Sequence, residues 1–179
     1  MRRSNALVTL MLVTVAGTTE LAGAQTSTRA PQFGVDGGVA FNLNGPGVTV
    51  VSLPMQRLRV GVPFSDQASF KTALAVNAVN GGGVSFTTYN VELGVPLYPN
   101  ADASAARGYL RPFAGVAGAS GDNAGPTRTT FGAGVGIESP IDSRFGLRWE
   151  ANFTHALATS SVKSSDTLAL TVGLSFKPK

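Results

Sequence analysis

The sequence predicts an all-β protein, an eight-stranded antiparallel up-and-down transmembrane β-barrel that is preceded by a signal-peptide helix. Charged residues make up only 13% of the chain, against about 25% in typical soluble domains. Glycine accounts for 22 of the 179 residues. From Gln32 onward, apolar residues recur at every second position, which is the period of a β-strand. A lipid-facing barrel reconciles low charge with the lack of a long apolar run, because its strands need only every second residue apolar.

The N-terminal segment has the three parts of a secretory signal peptide. Two arginines open it, an apolar run covers residues 6–16, and Ala22-Gly23-Ala24 forms a small-x-small cleavage site. The apolar run is too short for a transmembrane anchor, which needs about 20 residues. We therefore predict a signal peptide over residues 1–24, with a helix over 4–17, and a barrel domain over 25–179.

Composition also excludes several kinds of chemistry. The chain has no cysteine, so disulfides and thiolate metal sites are ruled out. The formal net charge is +4, but the charges are scattered singly, without a basic run or interleaved aromatic residues, so nucleic-acid binding is not supported. With a single histidine, His155, we predict no metal site and no cofactor.

Eight alternating segments account for most of the remaining chain, and turn-forming residues separate them. Most are near the ~9–11 residues with which a tilted strand crosses a bilayer. The predicted strands cover residues 33–43, 57–64, 70–78, 88–97, 109–119, 131–138, 145–154 and 168–176. An even number of strands places both chain ends on the periplasmic side. The predicted outer loops are then residues 44–54, 79–85, 119–128 and 156–166.

The aromatic residues agree with this orientation, because membrane barrels carry aromatic girdles at both interfaces. The predicted periplasmic girdle contains Phe33, Phe64, Phe70, Tyr98, Tyr109, Phe145 and Phe176. The predicted outer girdle contains Phe41, Phe86, Phe131 and Phe153.

The second face of the strands carries both signs of charge among glycines and alanines, and we predict that it lines the lumen. Eight strands leave an interior that side chains fill, and charges removed from water need partners. The predicted structural charge network of the lumen is Asp36, Arg59, Lys71, Glu92, Arg111, Glu138, Arg148 and Glu150. The predicted lipid-facing residues include Val35, Val39, Leu74, Leu93, Val135, Trp149, Leu170 and Val172. In the fifth strand this assignment requires Arg111 to point inward, and the facing of Arg57 is left open.

The ordered strands resemble the small outer-membrane barrels of the OmpA/OmpX-like β-barrel superfamily. The resemblance rests on residues 58–62, 109–115, 131–136, 147–153 and 170–176. It implies a location in the cell outer membrane, contact with outer-membrane lipid, and a last strand that the barrel assembly machinery recognises. That strand usually ends the chain with an aromatic residue, whereas here Lys177-Pro178-Lys179 follows Phe176. The resemblance implies no single activity.

No catalytic residue is predicted, and we expect a monomeric, non-enzymatic protein with a structural or surface-interaction role. One alternative is an outer-membrane lipid A-modifying enzyme that acts through His155. The lipid A deacylases use a His-x-Ser pair, and Leu157 occupies the serine position here. Arg148 and Glu150 share the lumen face, where a structural ion pair is the favoured interpretation. The other alternative is a soluble periplasmic lipocalin-like carrier, whose apolar face would point inward.

Overall fold

The structure is a computed structural model that describes the greater part of the chain. The described residues are 30–44, 57–81, 84–102, 104–121 and 124–178. The predicted signal peptide and its helix lie outside the described residues, as does most of the predicted loop 44–54. Among the residues that the structure describes, no helix is long and apolar enough to cross a membrane.

The described residues form eight β-strands that follow one another around a closed barrel. Each strand pairs antiparallel with the next, and the last strand pairs with the first. The predicted eight-stranded antiparallel barrel is therefore confirmed. The strands are β1 Gln32–Asn42, β2 Arg57–Pro63, β3 Ser69–Gly81, β4 Val84–Gly94, β5 Arg107–Gly121, β6 Arg128–Pro140, β7 Phe145–Ala156 and β8 Ser165–Phe176.

Two outer connections are shorter than the sequence predicts. Pairing of β3 with β4 continues to Gly81 and Val84, so only residues 82 and 83 separate the two strands. The predicted loop 79–85 is thus mostly strand. Two-residue connections are the commonest hairpin turns, and glycine is the residue that suits them. Strand β5 likewise extends to Gly121, inside the predicted loop 119–128.

The strands are strongly staggered around the barrel. A ladder that starts at Phe33 on β1 crosses all strands through Val60, Thr72, Leu93, Ala114, Phe131, His155 and Asp166. It returns to β1 not at Phe33 but at Leu43, whose backbone N–H donates to the carbonyl oxygen of Asp166 at 2.8 Å. Such a stagger requires the strands to tilt against the barrel axis.

The two faces of the sheet have inverted polarity compared with a soluble protein. Large apolar side chains stand on the outside, as Leu93 does with 64% of its surface exposed, whereas the interior is filled by charged ones such as Arg111 at 1%. In water-soluble proteins charged side chains are almost never fully buried unless they are paired. The interior of a lipocalin-like carrier would have the opposite character.

The predicted aromatic girdles are partly wrong. Tyr98 and Tyr109 are 4% and 5% exposed, and both point into the barrel instead of outward. Tyr98 lies an even number of positions from Glu92, and Tyr109 lies two positions from Arg111. The alternation of side chains along a strand therefore places both tyrosines inside. The other five members of the predicted periplasmic girdle are exposed on the outside, namely Phe33, Phe64, Phe70, Phe145 and Phe176. At the opposite end Phe131 and Phe153 are exposed and Phe41 is half-buried, while the side chain of Phe86 lies outside the described part.

Candidate functional site

The barrel interior holds a network of buried charged side chains. All eight residues of the predicted lumen network lie there, and each is less than a tenth exposed. Strand alternation explains this placement, because inward residues lie two positions apart on every strand. The residues concerned are Asp36, Arg59, Lys71, Glu92, Arg111, Glu138, Arg148 and Glu150.

Arg111 is the hub of the central part of the network. Its guanidinium contacts Glu150 twice, from Nη2 to Oε1 at 2.8 Å and from Nε to Oε2 at 3.2 Å. Nη1 contacts Oε2 of Glu92 at 3.2 Å, and Nη2 also donates to Oδ1 of Asn152 at 2.9 Å. The ring of Phe113 lies under the guanidinium, with its centroid 4.4 Å away. This bidentate geometry is the strongest arrangement available to an arginine and a carboxylate.

A second cluster forms around Asp36 and joins the first through Arg148. Oδ2 of Asp36 lies 2.6 Å from Nε of Arg59 and 3.0 Å from Nη2 of Arg148. Nη1 of Arg148 lies 3.1 Å from Oε2 of Glu150. Space for Asp36 exists because its neighbour on β8 is Gly173, where a Cβ atom would lie 1.8 Å from Oδ1. Glycine on this face therefore makes room for charge.

The two inward tyrosines, Tyr98 and Tyr109, each donate a hydrogen bond to a buried carboxylate of the network. The hydroxyl of Tyr98 donates to Oε2 of Glu138 at 2.7 Å and accepts from Nζ of Lys71 at 3.0 Å. The hydroxyl of Tyr109 donates to Oε2 of Glu150 at 2.5 Å. A buried phenol needs a hydrogen-bond partner, and the enclosed carboxylates supply it. The distribution of aromatic residues along the sequence does not predict this inward role of the tyrosines. The alternation of inward and outward residues along each strand does.

Arg57, whose facing the sequence leaves open, is a further member of the network. It is 4% exposed, and Nη2 lies 3.1 Å from Oε2 of Glu92. Neither Nε nor Nη2 of Arg57 makes a hydrogen bond of good geometry within the described residues. Its inward facing could have been predicted from Arg59, because the two residues lie two positions apart on the same strand.

The predicted lipid-facing residues lie on the outer face of the barrel. Seven of them are more than a third exposed, namely Val35, Leu74, Leu93, Val135, Trp149, Leu170 and Val172. The eighth, Val39, is half-buried on the same face, beside Trp149 and Leu170 in a shallow apolar depression.

His155 lies away from the charge network, on the outer face near the rim. Nδ1 is 2.6 Å from Oδ1 of Asp166, and the ring packs against Phe131 with centroids 5.1 Å apart. The side-chain amide of Asn44 also donates to Asp166. Within the described residues no hydroxyl or thiol is hydrogen-bonded to the imidazole, and no cluster of three potential metal ligands occurs.

A closed eight-stranded barrel with an apolar exterior and an ionic interior has the architecture of a small outer-membrane barrel. No protein-family model matches the sequence, and no curated protein sequence matches it. Solved structures do match. The chain is similar to Neisserial surface protein A (NspA), with 16% identity and a TM-score of 0.64 over 85% of this chain and 98% of that one.

Two further solved structures have the same fold. The outer membrane protein OprG from Pseudomonas aeruginosa is 11% identical, with a TM-score of 0.60 over 84% of this chain and 96% of that one. The N-terminal β-barrel domain of Pseudomonas aeruginosa OprF is 12% identical, with a TM-score of 0.52 over 83% of this chain and 98% of that domain. At these identities the similarity establishes the fold.

Proposed function

We propose that the chain is an integral protein of the bacterial outer membrane, without enzymatic activity, and with a structural or surface-interaction role. The observation that carries the proposal is the inverted polarity of the barrel. A belt of exposed leucine, valine and phenylalanine side chains encloses a charged interior. In water such a belt would be an aggregation surface, whereas in hydrocarbon it is the favourable exterior.

Lipid is therefore the first partner of this surface. Two proteins with the same fold are an outer membrane protein and a surface protein by name, which agrees with this environment. A monomer is the favoured state, because the barrel closes between β8 and β1 and leaves no unpaired strand edge to recruit another chain. We also propose that the barrel assembly machinery recognises β8 during insertion.

Cell fractionation combined with a gel mobility assay tests the membrane location. The protein should remain with the outer membrane after a carbonate wash, and it should migrate faster on a gel when unheated than when boiled. Both results are expected because a closed barrel with a paired ionic core resists detergent without heating. Recovery in the aqueous periplasmic fraction, without detergent, would contradict the proposal.

The non-enzymatic part of the proposal is tested at His155, the residue of the lipid A-modifying alternative. Its imidazole is held by Asp166 and Phe131, with no nucleophile in contact among the described residues. Mass spectrometry of lipid A from cells that express wild type or His155→Ala should give identical profiles, and both should match cells without the protein. A modification that depends on His155 would overturn this part alone.

A further inference from the structure

The barrel contains a cavity at the end that carries the β5–β6 and β7–β8 loops. Its volume is about 390 Å³, within the range of roughly 300–1,000 Å³ that small-molecule pockets occupy. Pro126 and Val162 contribute to it from those two loops, and Arg57, Glu92 and Asn152 contribute from the charge network. The inference rests on the proposed function. If both chain ends face the periplasm, as the even number of strands predicts, the cavity lies at the extracellular end.

Four residues that line this cavity carry buried polar atoms without a hydrogen-bond partner in the described part of the chain. The atoms are Nε and Nη2 of Arg57, Oδ1 of Asn90, Oγ1 of Thr130 and Nδ2 of Asn152. Buried polar groups are normally hydrogen-bonded, so each such group calls for an explanation. Three of the four side chains are donors, which points to a ligand that accepts hydrogen bonds.

The interior also holds one more basic than acidic side chain among the described residues. Its five buried cations are Arg57, Arg59, Lys71, Arg111 and Arg148, and its four buried carboxylates are Asp36, Glu92, Glu138 and Glu150. An uncompensated charge in a low-dielectric interior is costly. Arg57 has no carboxylate of its own: Glu92 at 3.1 Å, Glu150 at 3.8 Å and Asp36 at 3.9 Å each pair with another arginine as well.

The walls of the cavity are built from small side chains, alanine methyl groups together with the hydroxyl-bearing Thr154, Ser165 and Thr167. Alanine methyl groups line it from several strands, among them Ala40 on β1, Ala117 on β5 and Ala169 on β8. A short alkyl group fits between these alanine methyl groups. At the mouth, Arg128 adds a positive charge while its guanidinium donates to the carbonyl oxygens of Leu157, Ala156 and Lys163.

We propose that this cavity binds a small monocarboxylate with a short alkyl body. The carboxylate would accept hydrogen bonds from Arg57 and Asn152, because a guanidinium matches the geometry of a carboxylate. The alkyl chain would lie between the three alanine methyl groups. The ligand supplies the missing negative charge and the missing hydrogen-bond acceptors together.

Butyrate is the probe for the test, and the protein is the mature barrel in zwitterionic lipid nanodiscs with 13C-labelled alanine methyl groups. Sodium butyrate replaces sodium chloride at constant ionic strength. We expect saturable shifts at millimolar concentrations for Ala40, Ala117 and Ala169. Ala68 and Ala101, which line a separate cavity at the opposite end, should not shift.

Two variants separate binding from folding. Arg57→Gln should weaken butyrate binding at least tenfold, whereas Arg144→Gln, an equal charge change at an exposed turn, should leave it unchanged. Ala169→Leu should also abolish the shifts by filling the cavity while keeping Arg57. The gel mobility assay verifies that each variant is a closed barrel.

Three outcomes would overturn the proposal. These are binding of butylammonium or butanol as tight as that of butyrate, no saturable shift with butyrate, and normal binding of butyrate by Arg57→Gln. If the barrel fractionates with the outer membrane but does not bind butyrate, the proposed ligand site is wrong and the proposed function still holds. Recovery in the aqueous fraction removes the proposed function, whichever ligand binds.

Discussion

Arg111 and Glu150 face each other across the closed interior of the barrel, joined by two contacts of 2.8 and 3.2 Å. Glu150 also receives Arg148 at 3.1 Å and the hydroxyl of Tyr109 at 2.5 Å. One carboxylate therefore satisfies two guanidinium groups and a phenol, and its side chain is 0% exposed. This position should be the most sensitive in the network.

Glu150→Gln should destabilise the barrel by roughly 3–5 kcal/mol, the typical cost of removing one partner of a buried ion pair. The amide keeps the shape of the side chain but leaves the Arg111 and Arg148 charges under-compensated. Urea unfolding in detergent micelles, followed by the fluorescence of Trp149, measures the effect. Asp102→Asn removes the same charge at an exposed loop, where the carboxylate accepts hydrogen bonds from Ser104, and it should destabilise the barrel far less than Glu150→Gln. Equal effects from the two substitutions would show that burial of the pair does not matter.

Leu170→Arg should prevent stable insertion, because an outward arginine near the bilayer midplane costs about 2–4 kcal/mol. Leu170 lies in the middle of β8 and is 48% exposed on the outer face. Ile141→Arg is the matched control, since Ile141 is 61% exposed but lies in the turn between β6 and β7. The folded fraction on unheated gels after insertion into vesicles compares the two. If both variants insert like wild type, the exterior does not face hydrocarbon.

Gly173→Ala should disturb the Asp36 cluster, whereas Gly37→Ala should not. A Cβ atom at Gly173 would lie 1.8 Å from Oδ1 of Asp36 and 2.8 Å from the backbone oxygen of Val35. At Gly37 a Cβ atom meets no heavy atom within 4 Å. Overpacking of a filled interior typically costs 1–3 kcal/mol. Urea midpoints of the two variants check this, and a Gly173→Ala barrel as stable as the Gly37→Ala barrel would contradict it.

The facing of the charged residues could be predicted because it depends only on parity along a strand. Arg59 and Arg111 need no partner to be assigned inward, since their neighbours at odd offsets are apolar. The same rule, applied to Arg57, Tyr98 and Tyr109, places all three inside. The prediction that the two tyrosines belong to the periplasmic aromatic girdle is wrong because it follows from their position near strand ends. Their even spacing from inward residues is the better criterion.

The pairing of the charges could not be predicted from the sequence. Arg148 lies 3.0 Å from Asp36 although 112 positions separate them in the chain. Which residues become neighbours in the lumen depends on the register of every strand pair and on the stagger from Phe33 to Leu43 that accumulates around the barrel. Alternation leaves that stagger undetermined, because a shift by two residues preserves every facing. The cavity beside Arg57 depends on the same stagger.

The turn between β6 and β7 should make a pH-dependent contribution to stability through Asp142. Its Oδ1 accepts from the backbone N–H groups of Phe145 and Arg144, both at 2.7 Å, and these bonds hold the pKa of the carboxyl below its ordinary value. A carboxyl whose pKa is lowered on folding stabilises the protein at pH above its unfolded pKa. That stabilisation is lost as the pH falls through the folded pKa.

Asp142→Asn is the informative variant, because the amide oxygen can accept the same two bonds but does not titrate. Bonds to an ionised acceptor are the stronger ones, so wild type should exceed Asp142→Asn in urea midpoint at neutral pH. The gap should narrow as the pH falls below the ordinary pKa of an aspartate, about 3.9, and it should close once the pH is below the lowered pKa of the folded state. The buried carboxylates titrate alike in both proteins, so they cancel in the difference. A gap that stays constant across this range would mean that the ionised form of Asp142 contributes nothing to the turn.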